Sequence, residues 1–268
     1  MTGQPLIRRL CVIGVGLIGG SLARALRDKG EVGEVVGSGR GEDNLRAAVR
    51  LGVVDRYDTD PARVVVGADV VLVAVPLGAI EPVLRAIVPH LSPDAVVTDV
   101  GSAKGCVVAD VERVYGHVPP NFVPGHPIAG TEKSGVEASF STLFQRRRVI
   151  LTPLAETAAA AHHLIKQMWE LTGAEVVGMG VRHHDAVLAA TSHLPHMLAY
   201  TLVDTLARLD DRAEIFRYAA GGFRDFTRIA SSDPRMWHDI CVANREQLLE
   251  MIALFNAHLE RLAEAIRA

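Results

Sequence analysis

The run Gly14-Val15-Gly16-Leu17-Ile18-Gly19, directly after the apolar stretch Leu10–Gly14, constrains this chain more than any other feature. Glycines so spaced between a strand and a helix each answer a different need. Gly14 makes a tight turn, Gly16 lets backbone approach a pyrophosphate, and Gly19 lets the helix pack closely on the strand. The unpaired N–H groups at the start of that helix, around Leu17 and Ile18, then face the phosphates. Three glycines alone also fit a merely tight turn. Here the helix with Leu22, Ala25 and Leu26 and a second strand, Glu34–Gly37, fall where a dinucleotide-binding βαβ unit needs them.

The first two thirds of the chain continue in that manner, short β-branched runs alternating with helical patterns, which predicts a parallel sheet with crossover helices. Further strands are expected at Val70–Val75, Ala95–Val100, Asn121–Val123, Val149–Thr152 and Ala174–Val177. Helices are expected from Ile18, Leu45, Ile80 and Ala103, and through Ala155–Leu171. From Val181 onward no β-like alternation remains, and apolar residues recur at helical spacing, as in Leu194, Leu198 and Leu202. The expected fold class is therefore α/β: a Rossmann-type doubly wound sheet over residues 1–178, followed by an all-α domain over 179–268. The helical third has more apolar positions than so small a unit covers alone, so a homodimer formed through it is expected.

Composition narrows the partners. With 49% hydrophobic and 22% charged residues in 268, the chain is an ordinary globular one. A net charge of -3, with Arg146-Arg147-Arg148 as the densest basic run, argues against nucleic acid. No apolar run is long enough to span a bilayer, and the N-terminus lacks the pattern of a signal peptide, so no membrane partner is expected. Cys11, Cys106 and Cys241 are widely spaced and odd in number, which fits a reducing cytoplasm and small core residues.

The end of the second strand usually selects the dinucleotide, because an acid there binds the ribose 2′-hydroxyl and repels a 2′-phosphate. This chain reads Val36-Gly37-Ser38-Gly39-Arg40. The acid is absent, Ser38 can donate a hydrogen bond and Arg40 can pair with a phosphate. NADP is favoured over NAD on that loop, with NAD still open, since Glu42 or Asp43 can substitute for the acid. Pro76, after the strand Val70–Val75, joins the expected cofactor-binding residues.

Four further segments put polar groups at strand ends and helix starts, where ligands bind in this fold. They are Asp99-Val100-Gly101-Ser102-Ala103-Lys104, GHPIAGTEKSG from Gly125 to Gly135, SHLPH from Ser192 to His196, and GGFRDFTRIASSDPRMW from Gly221 to Trp237. In order, spacing and wording they resemble the prephenate and arogenate (cyclohexadienyl) dehydrogenases of tyrosine biosynthesis, from Leu10 to about Leu259, in what looks like a minimal two-domain form. The resemblance implies oxidative decarboxylation of prephenate to 4-hydroxyphenylpyruvate, of arogenate to tyrosine, or of both, with hydride transfer to NAD(P).

On that resemblance His126 is the catalytic histidine, and a neutral imidazole suits a base working near neutral pH. Ser102 matches the serine beside the substrate hydroxyl; it also fits an N-cap for the helix from Ala103. Arg228 matches the substrate-binding arginine, and Arg224, four residues earlier, shares its helix face. Thr131 and Glu132 match a pair at the pocket mouth, and His193 and His196 line the pocket, which of them reaches substrate being open. Trp237 is expected to pack nearby, and His162, His163, His183 and His184 to sit at solvated helix positions. No metal is expected, because hydride transfer needs none and His193 and His196 have no evident third ligand. Two rivals remain: another β-hydroxyacid dehydrogenase, disfavoured by the lack of any lysine after Lys166, and a non-catalytic dinucleotide-sensing dimer, which need not keep His126, Ser102 and Arg228 together.

Overall fold

The computed structural model describes residues 4–131 and 133–268, and the chain divides into two compact units, Met1–Arg182 and His183–Ala268. In the first, strands β1 (Ile7–Ile13), β2 (Val32–Ser38), β3 (Arg56–Asp58), β4 (Val70–Val73), β5 (Val96–Asp99) and β6 (Phe122–Val123) form a parallel sheet in the order β3-β2-β1-β4-β5-β6. All four residues of β4 and of β5 are buried. Strands apolar on both faces need helices on both sides of the sheet. They are supplied by α1 (Leu17–Lys29), α2 (Glu42–Arg50), α3 (Pro61–Val64), α4 (Ile80–Ile87) and α5 (Gly105–Tyr115). Cys11 sits fully buried in β1, and burial pushes its thiol up to about 12, so it is inert core.

The later strands depart from the expected single sheet. β7 (Gly125–Pro127), β8 (Arg148–Leu151) and β9 (Glu175–Gly178) form a separate three-stranded sheet. In it β7 runs antiparallel to β8, while β8 and β9 are parallel and joined through α6 (Ala159–Glu170). Pro124, the one residue between β6 and β7, has no N–H to extend the first ladder, and its carbonyl accepts from Thr152 N at 3.0 Å. The chain therefore leaves one sheet for the other at that proline. Phe144 and Trp169 pack edge to face under this sheet, ring centroids 5.1 Å apart.

The second unit is helical throughout. It holds α7 (Val181–Leu188, whose first residues belong to the preceding unit), α8 (Leu194–Ala207), α9 (Arg212–Arg217), α10 (Gly221–Thr227), α11 (Pro234–Ala243) and α12 (Arg245–Arg267). Between α7 and α8 lies a π-helical turn, Ala189–His193. Pro195 just beyond it has no N–H to close an α-turn on Thr191, and a wide turn accommodates that loss. The long α12 buries only Leu248, and its Leu249, Leu254, Leu259, Leu262 and Ile266 are exposed. No helix among the described residues is long and apolar enough to cross a membrane.

Candidate active site

Strand register aligns the site. Ser38 pairs with Ile13, Ile13 with Val73, and Val73 with Asp99, so all four stand in one row at the C-terminal edge of the sheet. Neighbouring strands lie ~4.8 Å apart, so Asp99, two strands over, is roughly 10 Å from Ile13. The glycine turn opens from this row. Gly14 has φ +97, and a Cβ there would stand 2.1 Å from the Ala74 carbonyl oxygen, so no other residue fits without moving backbone. At Gly19 a Cβ would meet Gly14 O at 2.5 Å and Val12 Cγ1 at 2.7 Å, the close helix-to-strand approach.

Gly16 differs: a Cβ there meets nothing within 4 Å. It is the N-cap of α1, no side chain caps the helix, and no acidic residue lies in the first turn. Uncapped N–H groups beside open space at a helix start fit a diphosphate. Because its φ is -106, Gly16→Ala is compatible with the fold. Its melting temperature is expected within about 2 °C of the parent, since an unstrained substitution with no new contact moves stability little. The dinucleotide KM is expected to rise about tenfold or more, a loss of ~1.4 kcal/mol of binding; steady-state kinetics and a thermal melt check the pair of outcomes.

Around the turn, Ser38 is buried and its carbonyl accepts from Gly14 N at 2.8 Å, while Arg40 is exposed in the loop beyond. Glu42 is engaged elsewhere, accepting from Arg46 at 3.0 Å and from the Tyr57 hydroxyl at 3.3 Å. Pro76 is exposed just past β4, at the same sheet edge. Asn44, which the sequence did not single out, braces the turn. It donates to Val15 O at 2.7 Å and accepts from Val136 N at 2.9 Å, tying the glycine loop to the segment after β7.

At the other end of the row, Asp99 and Lys104 form an ion pair of 2.5 Å, with side chains 1% and 0% exposed. The pair grips two loops. Asp99 accepts from Gly101 N at 2.7 Å and Gly125 N at 3.2 Å, and Lys104 donates to Gly125 O at 2.7 Å. Gly101 precedes Ser102 and Gly125 precedes His126, so the loop bearing Ser102 and the strand bearing His126 are tied to one buried pair. His126 is itself buried, opposite Ile150 in the β7–β8 ladder. Ser102, half-buried, is not an N-cap: α5 starts at Gly105, with Lys104 in the cap position. The sequence places Asp99 and Lys104 in one polar segment without pairing them, although an acid closing a run of buried β residues needs a partner. Thr131 lies exposed after β7, its hydroxyl accepting from Lys133 N at 3.2 Å; Glu132 is outside the described residues.

In the helical unit, Arg228 opens the 3-10 turn after α10, its N–H bonded to Arg224 O, and both side chains are exposed. His196 stacks on Trp237 with ring centroids 3.7 Å apart and donates from Nδ1 to Ser192 O at 2.8 Å. Burial holds its pKa below the ordinary histidine value; the Ser192 bond opposes this and the charge of Arg228 adds to it. His193 is buried edge-on to the same tryptophan at 6.1 Å. His184, expected at a solvated position, is fully buried instead, its Nδ1 2.8 Å from Asp185 Oδ1, because this face of α7 turns inward. The structure thus groups His126 with Ser102 in the first unit, and His193, His196 and Arg228 in the second.

A parallel sheet of this strand order, with a glycine turn and an open helix start at its switch point, defines a dinucleotide-binding domain of the Rossmann type. Residues 22–178 match the family model described as prephenate dehydrogenase, nucleotide-binding domain, and residues 181–268 match prephenate dehydrogenase, dimerization domain. The chain belongs to the prephenate dehydrogenase family. It is 40% identical to a cyclohexadienyl dehydrogenase of Zymomonas mobilis, over 98% of this chain and 90% of that one. A prephenate dehydrogenase of Bacillus subtilis is 36% identical over 90% of this chain, which spans 65% of that protein. The crystal structure of the A. aeolicus prephenate dehydrogenase with hydroxyphenyl propionate and NAD+ superposes with a TM-score of 0.90 at 40% identity, covering 97% of this chain and 90% of that one.

Proposed function

We propose that this protein oxidatively decarboxylates prephenate to 4-hydroxyphenylpyruvate, arogenate to tyrosine, or both, with NADP favoured over NAD as hydride acceptor. The observation that carries the chemistry is the convergence of the Ser102 loop and the His126 strand on the buried Asp99–Lys104 pair. A bound nicotinamide supplies the acceptor for the hydride that leaves C4 of the ring. His126 takes the C4 hydroxyl proton as that hydride departs. The bond from C1 to the carboxylate then breaks, carbon dioxide leaves, its electron pair completes the aromatic ring as a phenolate, and the His126 imidazolium returns the proton to that oxygen to give the phenol. Ser102 orients the substrate hydroxyl or the imidazole, and burial of His126 keeps water from competing for the proton. Arg228, with Arg224 beside it, pairs with a substrate carboxylate through a guanidinium that stays charged at any working pH. Substrate contacts are assigned also to His193 and His196, and to Thr131 and Glu132.

For the cofactor, Gly14, Gly16, Leu17, Ile18 and Gly19 would hold the diphosphate, with Pro76 beside them. The missing acid at the end of β2, the engagement of Glu42 and the exposure of Arg40 support a 2′-phosphate there. We put the division of labour at Gly178, with dinucleotide binding before it and substrate binding and dimerisation after it. The exposed leucines of α12 support a homodimer formed by that second part, and three free cysteines fit a cytoplasmic location. The test is a comparison of prephenate and arogenate, each with NAD and NADP. Turnover of at least one substrate, with a higher kcat/KM for NADP, is expected; no turnover of either with either dinucleotide would sink the proposal.

A further inference from the structure

We propose that Asn244 is a positioning residue for substrate binding, one that locks the buried His193 in the tautomer carrying its proton on Nε2 and so seats the Trp237–His196 pair. The inference rests on the substrate-binding role proposed above for His193 and His196. Asn244 joins α11 to α12 and is itself buried. Its Nδ2 lies 2.8 Å from the Asp185 backbone carbonyl and 3.1 Å from His193 Nδ1. A carbonyl only accepts, so the first contact sets which way the amide faces: nitrogen toward Asp185. The second hydrogen on that nitrogen then points at His193 Nδ1, which has to present a lone pair. The ring proton therefore stands on Nε2, and a proton on Nδ1 would set one N–H against another.

One turn later the opposite holds. His196 Nδ1 faces the Ser192 carbonyl at 2.8 Å, so there Nδ1 is the donor, and Nε2 of the neutral ring is the acceptor. Trp237 meets both imidazoles, in a T-shaped arrangement with His193 and stacked on His196. Asn244 thereby reaches a pocket residue without contacting ligand: it orients His193, which backs the indole on which His196 rests. The π-helical turn matters for this, because it carries Ser192 and His193 out of ordinary α-helical phase with α8.

Two measurements on the full-length protein decide it. Nitrogen NMR of 15N-histidine-labelled protein, with the His193 signal assigned by its loss in His193→Gln, should show Nδ1 unprotonated and Nε2 protonated in the parent. In Asn244→Asp, a carboxylate that can only accept should reverse that pattern. Substrate KM should then rise about tenfold, as for one lost buried hydrogen bond, with dinucleotide KM unchanged within about twofold. If Asn244→Asp does not fold, Asn244→Ala serves for the kinetics and the parent spectrum decides the tautomer alone. A proton on Nδ1 in the parent overturns the proposal. So does a variant in which substrate KM stays put, or in which both KM values rise together with a fall in melting temperature. Absence of turnover in the parent would instead count against the proposed reaction, and the spectrum would then decide the role of Asn244 by itself.

Discussion

His126→Asn is expected to lower kcat about a thousandfold, within the range that a positioned acid–base group contributes. An amide keeps hydrogen-bonding capacity and is smaller than the imidazole, but it has no basic lone pair to take the hydroxyl proton. Without that proton's acceptor, hydride loss leaves a protonated carbonyl whose formation costs far more. The backbone should not notice the change. Gly125, His126 and Pro127 are held by the β8 ladder and by the Asp99–Lys104 pair, none of which uses the imidazole. Dinucleotide KM and melting temperature should therefore stay near the parent values while kcat and kcat/KM fall together. A variant that turns over within about tenfold of the parent would remove His126 from the role of base.

Lys104→Met should be the most damaging change to stability. It leaves the Asp99 carboxylate buried without its cation, and breaking one side of a buried pair costs about 3–5 kcal/mol. For a protein of this size that is a fall of roughly 10 °C or more in melting temperature. Replacing both partners by apolar residues of similar volume is often neutral, but here Asp99→Leu with Lys104→Met should recover only part of the loss. Gly101 N, Gly125 N and Gly125 O would each lose a partner inside the protein. Activity should stay low in the double variant even where it melts close to the parent, because the Ser102 loop and the His126 strand no longer share an anchor. Thermal melts and kcat on the two variants check this, and a single variant that melts within about 2 °C of the parent would mean the pair is not the anchor described.

What could be read from the chain differs between the two ends of the site for a physical reason. The glycine turn is a local object: strand, three glycines and helix are contiguous, and steric need at Gly14 and Gly19 depends on neighbours that the βαβ geometry guarantees. The alternation of β-branched runs and helical patterns likewise comes from burial on both faces, so the parallel sheet was legible throughout its well-marked strands. Strands of three residues, β3 and β7, carry too little pattern, and nothing local said that Pro124 would send the chain into a second sheet. Family wording pointed to His126, Ser102 and Arg228, but it could not say what holds them.

That support is long-range. Asp99 meets Gly125 across 26 positions, Asn44 meets Val136 across 92, and Asn244 meets His193 across 51. Ser102 capping a helix and His184 facing water were reasonable local expectations, and both failed because an element's first residue and its inward face are set by packing. The sequence by itself determined the α/β class, the dinucleotide turn and the family, because these follow from periodicity and from residues adjacent in the chain. Only the tertiary structure decided the second sheet, the buried pair beneath His126 and the tautomers of His193 and His196. Each of those depends on which buried polar group meets which across the fold, and a buried polar group takes whatever partner the packing brings to it.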